Sequence, residues 1–177
     1  ACSGGYSFIM TGCPATNMLV STYMKDLMKK TKPSHAYEAI KRNHAPGGMM
    51  SYESADDLKF YVKKGYCPGN AGKTLEWAFQ DWGLSRMALR MGKKSDAALY
   101  EKRSRAWTPL FNKNIGLILP KKENGEWLHT DPLNGQGWVE ANAWQATWSV
   151  SHDLPKLVEL MGGGDAFCKK LNYAFEQ

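Results

Sequence analysis

Apolar residues along this chain recur mostly at helical spacing. Val20, Tyr23, Met24 and Leu27 fall at i, i+3, i+4 and i+7, one stripe of a helix that the pattern carries to Lys29-Lys30. Thr31-Lys32-Pro33 interrupts it, and Ser34 stands where it would cap a short helix running through Lys41. The clearest segment runs from about Thr74 to Met91 and stops at Gly92, whose missing Cβ suits the left-handed position beyond a helix end. Leu75, Ala78, Phe79, Trp82, Leu84, Met87, Ala88, Leu89 and Met91 cover most of its circumference. Glu76, Gln80, Arg86 and Arg90 form a narrow polar stripe, so this helix is expected to pack on two sides. Ser95 is placed to cap a further helix reaching about Ala106, which Pro109 closes.

From Phe111 to Gly137 the helical period is lost. Short apolar runs, Ile115 to Leu119 and Trp127-Leu128, are separated by Lys-Lys-Glu-Asn-Gly and Asn-Gly-Gln-Gly, which reads as a long loop or small hairpin. Such a loop inside a helical domain is uncommon unless it carries function, and it leads directly into Glu140. Helical pattern returns at about Asn142 to Val150, at Asp153 to Met161 and at Asp165 to Phe175, with Gly162-Gly163-Gly164 between the last two. No fixed-period repeat is present. Helices alternating with connectors predict an all-α fold in which paired helices stack, as in an α/α barrel or solenoid.

Composition alters this picture in few places. A chain of 177 residues with 43% apolar content can bury roughly 70% of its unfolded surface, so one domain is expected. No segment approaches the ~20 apolar residues of a membrane span, and Ala1-Cys2-Ser3 opens without Met or a signal segment. The chain is therefore expected to be soluble, without a membrane partner, its natural amino terminus missing or processed. The net charge of +6 is spread over pairs such as Lys63-Lys64 and Lys121-Lys122, which read as solvated helix ends. A nucleic-acid partner is not expected; that third reading would require steep salt-dependent binding to duplex DNA. Cys2, Cys13, Cys67 and Cys168 form no Cys-x-x-Cys pair, so buried free thiols are expected rather than zinc or redox chemistry. The seven tryptophans are expected to be mostly core, although indole faces also stack on sugars.

Glycoside hydrolysis typically needs two carboxyl groups, one to protonate the leaving oxygen and one to activate water or attack the sugar. Glu140 is the candidate acid: it sits at a loop-to-helix junction among Trp138, Trp144 and Trp148, where apolar neighbours would favour the protonated form. The structural alternative is a carboxylate that merely opens a helix. Asn142 and Gln145 carry amides suited to sugar hydroxyls, or else to capping the helix. His152-Asp153 has the form of an oriented general base, while Asp153 before Leu154-Pro155 also has the form of a helix N-cap. Glu76 and Asp81 are five apart and point to different sides of a helix, so they are not expected to pair. Lys73-Thr74 lacks the spacing of a phosphate loop.

The string Glu140-Ala141-Asn142-Ala143-Trp144-Gln145-Ala146-Thr147-Trp148, followed by Ser151-His152-Asp153-Leu154-Pro155, resembles the Glu-Gly-Asn-Ala-Trp-Gln-Tyr and Val-Pro-His-Asp motifs of glycoside hydrolase family 92. Thr74-Leu75-Glu76 with Ala78, Asp81 and Trp82 resembles the same family's Thr-Leu-Glu-x-Ala-x-x-Asp-Trp helix. The resemblance implies that residues 1–177 form a single partial domain, the first half of an (α/α)6 toroid. It also implies a calcium-dependent, inverting exo-α-mannosidase acting on mannose-containing glycans, periplasmic or secreted. Glu140 inherits the role of general acid, and Asn142, Trp144, Gln145, His152 and Asp153 become the expected substrate contacts. The family's base belongs to a Gly-Asn-Asp-x-Gly motif and its calcium site to an Asn-Glu-Pro region, and neither string occurs before Gln177. Calcium ligands are thus expected outside this chain, the isolated chain is expected to be inactive, and its partner to be the remainder of the same polypeptide or a second copy. Ala141 replaces the family's Gly and Ser151 its Pro, and the run Gly4 to Pro14 differs from the common pattern. An Ala needing positive φ at 141 would cost on the order of 1 kcal/mol. The alternative reading is a non-catalytic helical carbohydrate-binding or scaffold segment.

Overall fold

The computed structural model describes residues 12–48, 50 and 55–176. Cys2 and most of the run from Gly4 to Pro14 lie outside them. The elements are α1 (Ala15–Met24), α2 (Pro33–Asn43), α3 (Ala55–Lys64), α4 (Ala71–Arg90), α5 (Lys94–Arg103), the two-residue strands β1 (Phe111–Asn112) and β2 (Leu117–Ile118), α6 (Ala143–Ala146), α7 (Leu154–Met161) and α8 (Gly164–Glu176). The fold is all-α, and the long loop begins with a small antiparallel hairpin pairing Phe111 with Ile118 and Asn112 with Leu117.

Helix α4 is the axis of the domain. Its first half contributes Leu75, Trp77 and Ala78 to one core, shared with Leu58 and Tyr61 of α3, the hairpin residues Leu117 and Ile118, and Leu157 of α7. Its second half contributes Leu84, Met87 and Ala88 to another, with Val20, Tyr37, Ile40 and Tyr100. The expected packing on two sides is present, divided along the helix axis. The stripe read as polar is partly core: Gln80 is fully buried.

Between the two cores runs a closed polar network. Asp81 accepts from His44 Nδ1 at 2.8 Å, Tyr61 Oη at 2.9 Å and Arg103 Nε at 2.8 Å. His44 Nε2 lies 2.9 Å from the Thr16 hydroxyl, and Arg103 Nη1 donates to the His44 carbonyl. The order Thr16, His44, Asp81 is that of a hydrolytic triad, but all three are at 0% exposure, so no substrate reaches them. The network ties α1, α2, α3, α4 and α5 together, and α4 is thereby fixed in rotation.

Several boundaries differ from the sequence pattern. Helix α1 stops at Met24 rather than Lys29-Lys30, because Asp26 turns left-handed (φ +57°) and Arg90 of α4 donates to the carbonyls of Tyr23 and Met24. Leu27 is left exposed. Pro33 opens α2 at its first position instead of ending the preceding helix, and neither Ser34 nor Ser95 is a cap. Helix α5 ends at Arg103, and the segment expected as a helix from 142 to 150 divides into α6 and a 3-10 turn, Thr147–Ser149. Helix α3 has no counterpart in the sequence reading. Cys13 and Cys67 are buried free thiols as expected, whereas Cys168 is exposed.

Candidate active site

The loop before Glu140 is held by its own backbone. Asp131 and Asn134 accept through side-chain oxygens from the N–H groups of Leu133 and Gln136, two short turns that these residue types favour. The Gly137 carbonyl then accepts from Ala71 N at 2.9 Å and Gly72 N at 3.3 Å, which places the loop on the unsatisfied N–H groups opening α4. Gly137 itself has φ +86°, and a Cβ there would sit 2.7 Å from Pro120 Cβ and 2.9 Å from the Gly69 carbonyl. Gly137→Ala is expected to displace this loop and lower stability by at least ~1 kcal/mol. Helical circular dichroism should persist while the denaturation midpoint falls; an unchanged midpoint would show the loop to be pliable.

Glu140 is exposed and has φ +52°, one of two non-glycine residues among those described in the left-handed region. The strained position is therefore Glu140 itself, not Ala141 as the family's glycine suggested. A carboxylate-bearing residue held at a cost of order 1–3 kcal/mol is the kind of backbone strain that clusters at functional sites. Its flanking residues Trp138, Val139 and Ala141 line a cavity of about 520 Å³ that Glu76 and Phe79 of α4 also line.

The other sequence candidates are distributed around Glu140 rather than gathered beside it. Asn142 is the N-cap of α6: its Oδ1 accepts from Gln145 N at 3.1 Å, and Gln145 Oε1 accepts from Asn142 N at 3.0 Å, a reciprocal capping box. Both amide oxygens are spent on the helix, and the two NH2 groups remain to donate outward. Trp144 turns to the other side of α6, packing at 5.3 Å on Tyr173 and at 4.8 Å under Lys170 Nζ, in a separate cavity of about 970 Å³ between the hairpin and α8.

His152 packs against α4, its ring 5.8 Å from Phe79 and 6.3 Å from Trp82. Its Nε2 donates to the Ser104 carbonyl at 3.0 Å, and no hydrogen bond joins it to Asp153. Asp153 is the N-cap of α7, though its side chain makes no capping bond. Burial holds the His152 imidazole below its usual 6.5, the Ser104 bond opposing this only in part. The unfolded chain thus binds this proton more readily than the fold does. Stability is expected to fall as pH drops through about 6.5 and to level off below the depressed folded value. Denaturation midpoints between about pH 7.5 and about pH 5.5, roughly a unit on either side of the titration, should slope less in His152→Gln; equal slopes would remove His152 as the cause.

Calcium takes about six to eight oxygen ligands. Among the described residues no three His, Cys, Asp or Glu side chains gather as a cation site, so these residues do not fit the ion. Sequence reasoning missed Glu76 as a member of this region, although it was already known to share a helix face with Gln80.

Comparison with known proteins identifies the family. An inverting mannosidase of family 92 from Bacteroides thetaiotaomicron VPI-5482 superimposes with TM-score 0.87 and 29% identity over 97% of this chain and 24% of its own. An α-mannosidase of the same family and species, in complex with mannoimidazole, shares the fold at TM-score 0.84 and 24% identity over 96% of this chain and 23% of its own. An uncharacterized secreted glycosidase of Arthroderma benhamiae is 24% identical over 94% of this chain and 26% of its length. The chain thus spans about a quarter of each relative. The family profile described as the glycosyl hydrolase family 92 catalytic domain matches residues 1–177, and with the all-α architecture shared with these solved structures, the chain belongs to that family.

Proposed function

We propose that this chain is the acid-bearing part of an inverting exo-α-mannosidase, with Glu140 protonating the glycosidic oxygen. The observation that carries this reading is the left-handed Glu140, flanked by the cavity-lining residues Val139 and Ala141 on a loop bonded to the first turn of α4. The base that activates water lies outside this chain, ~6.5–9.5 Å from the acid as inversion requires. Calcium takes its ligands outside it too. The solved relatives described as mannosidases support a mannose-containing glycan as substrate, and the fungal relative described as secreted supports an extracytoplasmic site of action.

Proton NMR of a methyl α-mannoside incubated with the polypeptide that contains this chain tests the reading: β-mannose should appear before mutarotation. Binding without turnover would bring forward the non-catalytic carbohydrate-binding reading, which the exposure of Glu140 favours. A second expectation follows from the backbone. Glu140→Gly relieves a left-handed strain of about 1–2 kcal/mol and adds about 0.4–1 kcal/mol of unfolded-chain entropy. The thermal midpoint should hold or rise while turnover is lost, and a clear fall in midpoint would show that Glu140 is kept for stability.

A further inference from the structure

The cavity beside Glu140 has one charged wall. Among the described residues lining it, Glu76 is the only ionisable side chain; the others include Phe79, Trp138, Val139, Ala141 and Ser149. Its volume of about 520 Å³ lies within the roughly 300–1,000 Å³ of small-ligand sites.

Glu76 is held in place from behind. Gln80, fully buried one turn further along α4, accepts through Oε1 from the Cys13 N–H at 2.8 Å. That bond orients its amide, so the NH2 group points at Glu76 and donates to Oε1 at 2.5 Å. The chain from Cys13 through Gln80 holds one oxygen of the carboxyl group. Among the described residues, no other group bonds it, no cation pairs with it and it caps no helix. Burial pushes its carboxyl above the usual carboxylate range, and the Gln80 bond counters this only in part. A carboxyl group desolvated against aromatic walls and left half-bonded costs stability unless something completes it.

A pyranose has the complementary chemistry: hydroxyls that donate to a carboxyl oxygen and apolar C–H faces that lie on rings such as those of Phe79 and Trp138. Val139 and Ala141, the residues on either side of Glu140, line the same cavity. We propose that Glu76 is a specificity-determining residue of this enzyme, accepting hydrogen bonds from hydroxyls of the bound sugar and oriented for that task by Gln80. This rests on the mannosidase reading for the identity of the sugar.

Glu76→Gln is the informative variant because its side-chain oxygen still accepts from Gln80, leaving the packing intact. In the polypeptide that contains this chain, calorimetry should show methyl α-mannoside binding weakened about 10- to 100-fold, the loss of one hydrogen bond to a charged group. The affinity gap between methyl α-mannoside and its monodeoxy analogues should narrow for the hydroxyl concerned. KM should rise in parallel while kcat changes little, and the acid-side pH dependence of KM should flatten. Glu76→Asp, which keeps the charge, should restore part of the affinity. Wild-type affinity in Glu76→Gln, or losses that only track a fall in thermal midpoint, would overturn the proposal. If the wild type binds mannoside but does not hydrolyse it, the mannosidase reading fails while weakened binding in Glu76→Gln still supports this one. If Glu140→Gln abolishes turnover but Glu76→Gln behaves as wild type, the catalytic reading stands and this inference falls.

Discussion

Glu140→Gln, in the polypeptide that contains this chain, is expected to lower kcat on an alkyl α-mannoside by about 10²–10⁴-fold, the usual contribution of a positioned general acid. The amide keeps the shape of the side chain and its capacity to accept and donate hydrogen bonds, but has no proton to transfer. KM should therefore move little. The loss should shrink on a dinitrophenyl α-mannoside, whose leaving group departs without protonation, and that difference separates an acid from a residue that only binds. The left-handed backbone at Glu140 should survive the change, since Gln tolerates it no better or worse than Glu. Full activity on the poor leaving group would sink the assignment.

The fold was legible where one face of one helix makes its own case. The period from Thr74 to Met91 marks α4 within a few residues, and the loss of period after Phe111 marks the hairpin. The misplaced ends have tertiary causes. Nothing near Met24 says that α1 stops there, because the group that satisfies its last carbonyls is Arg90, on another helix. Helix α3 hid because its buried residues are few, Leu58 and Tyr61 among Lys and Asp. Its acidic first turn and basic last turn, Asp56-Asp57 and Lys63-Lys64, were the available signal.

The site divides in the same way. The long connector leads to Glu140, whose backbone is left-handed, whereas Trp144 and His152 pack on other elements. Trp144 lies in a separate cavity against Tyr173, and His152 packs on Phe79 and Trp82 of α4. The cavity lined by the neighbours of Glu140 is also lined by Glu76, 64 positions before Glu140, whose partner Gln80 looked like part of a polar stripe. Periodicity identifies which residues share a helix face. It cannot tell a solvated polar face from one turned into a cavity.

The buried network predicts the largest loss of stability. Asp81 receives three donors, from His44, Tyr61 and Arg103, at 0% exposure, and the Arg103 side chain is itself only 10% exposed. Burial, with the Asp81 charge adding to it, holds the Tyr61 phenol well above its usual range, so Tyr61 stays a donor at any working pH. Asp81→Ala removes the acceptor common to all three and leaves the Arg103 charge buried without a counter-ion. Breaking such a pair from one side costs about 3–5 kcal/mol. Asp81→Asn should lie close to Asp81→Ala despite keeping the shape, because the three donors surrounding the site leave its NH2 group nothing to bond to. Equilibrium urea denaturation reads the effect as a shift in midpoint, with Asp56→Ala as the control: that residue's pair with Lys59 is exposed and should leave the midpoint unchanged. If Asp81→Ala behaved like the control, solvent would have to reach Arg103 by a local opening of α5, and the network could not be what fixes the rotation of α4 and hence the direction in which Glu76 faces.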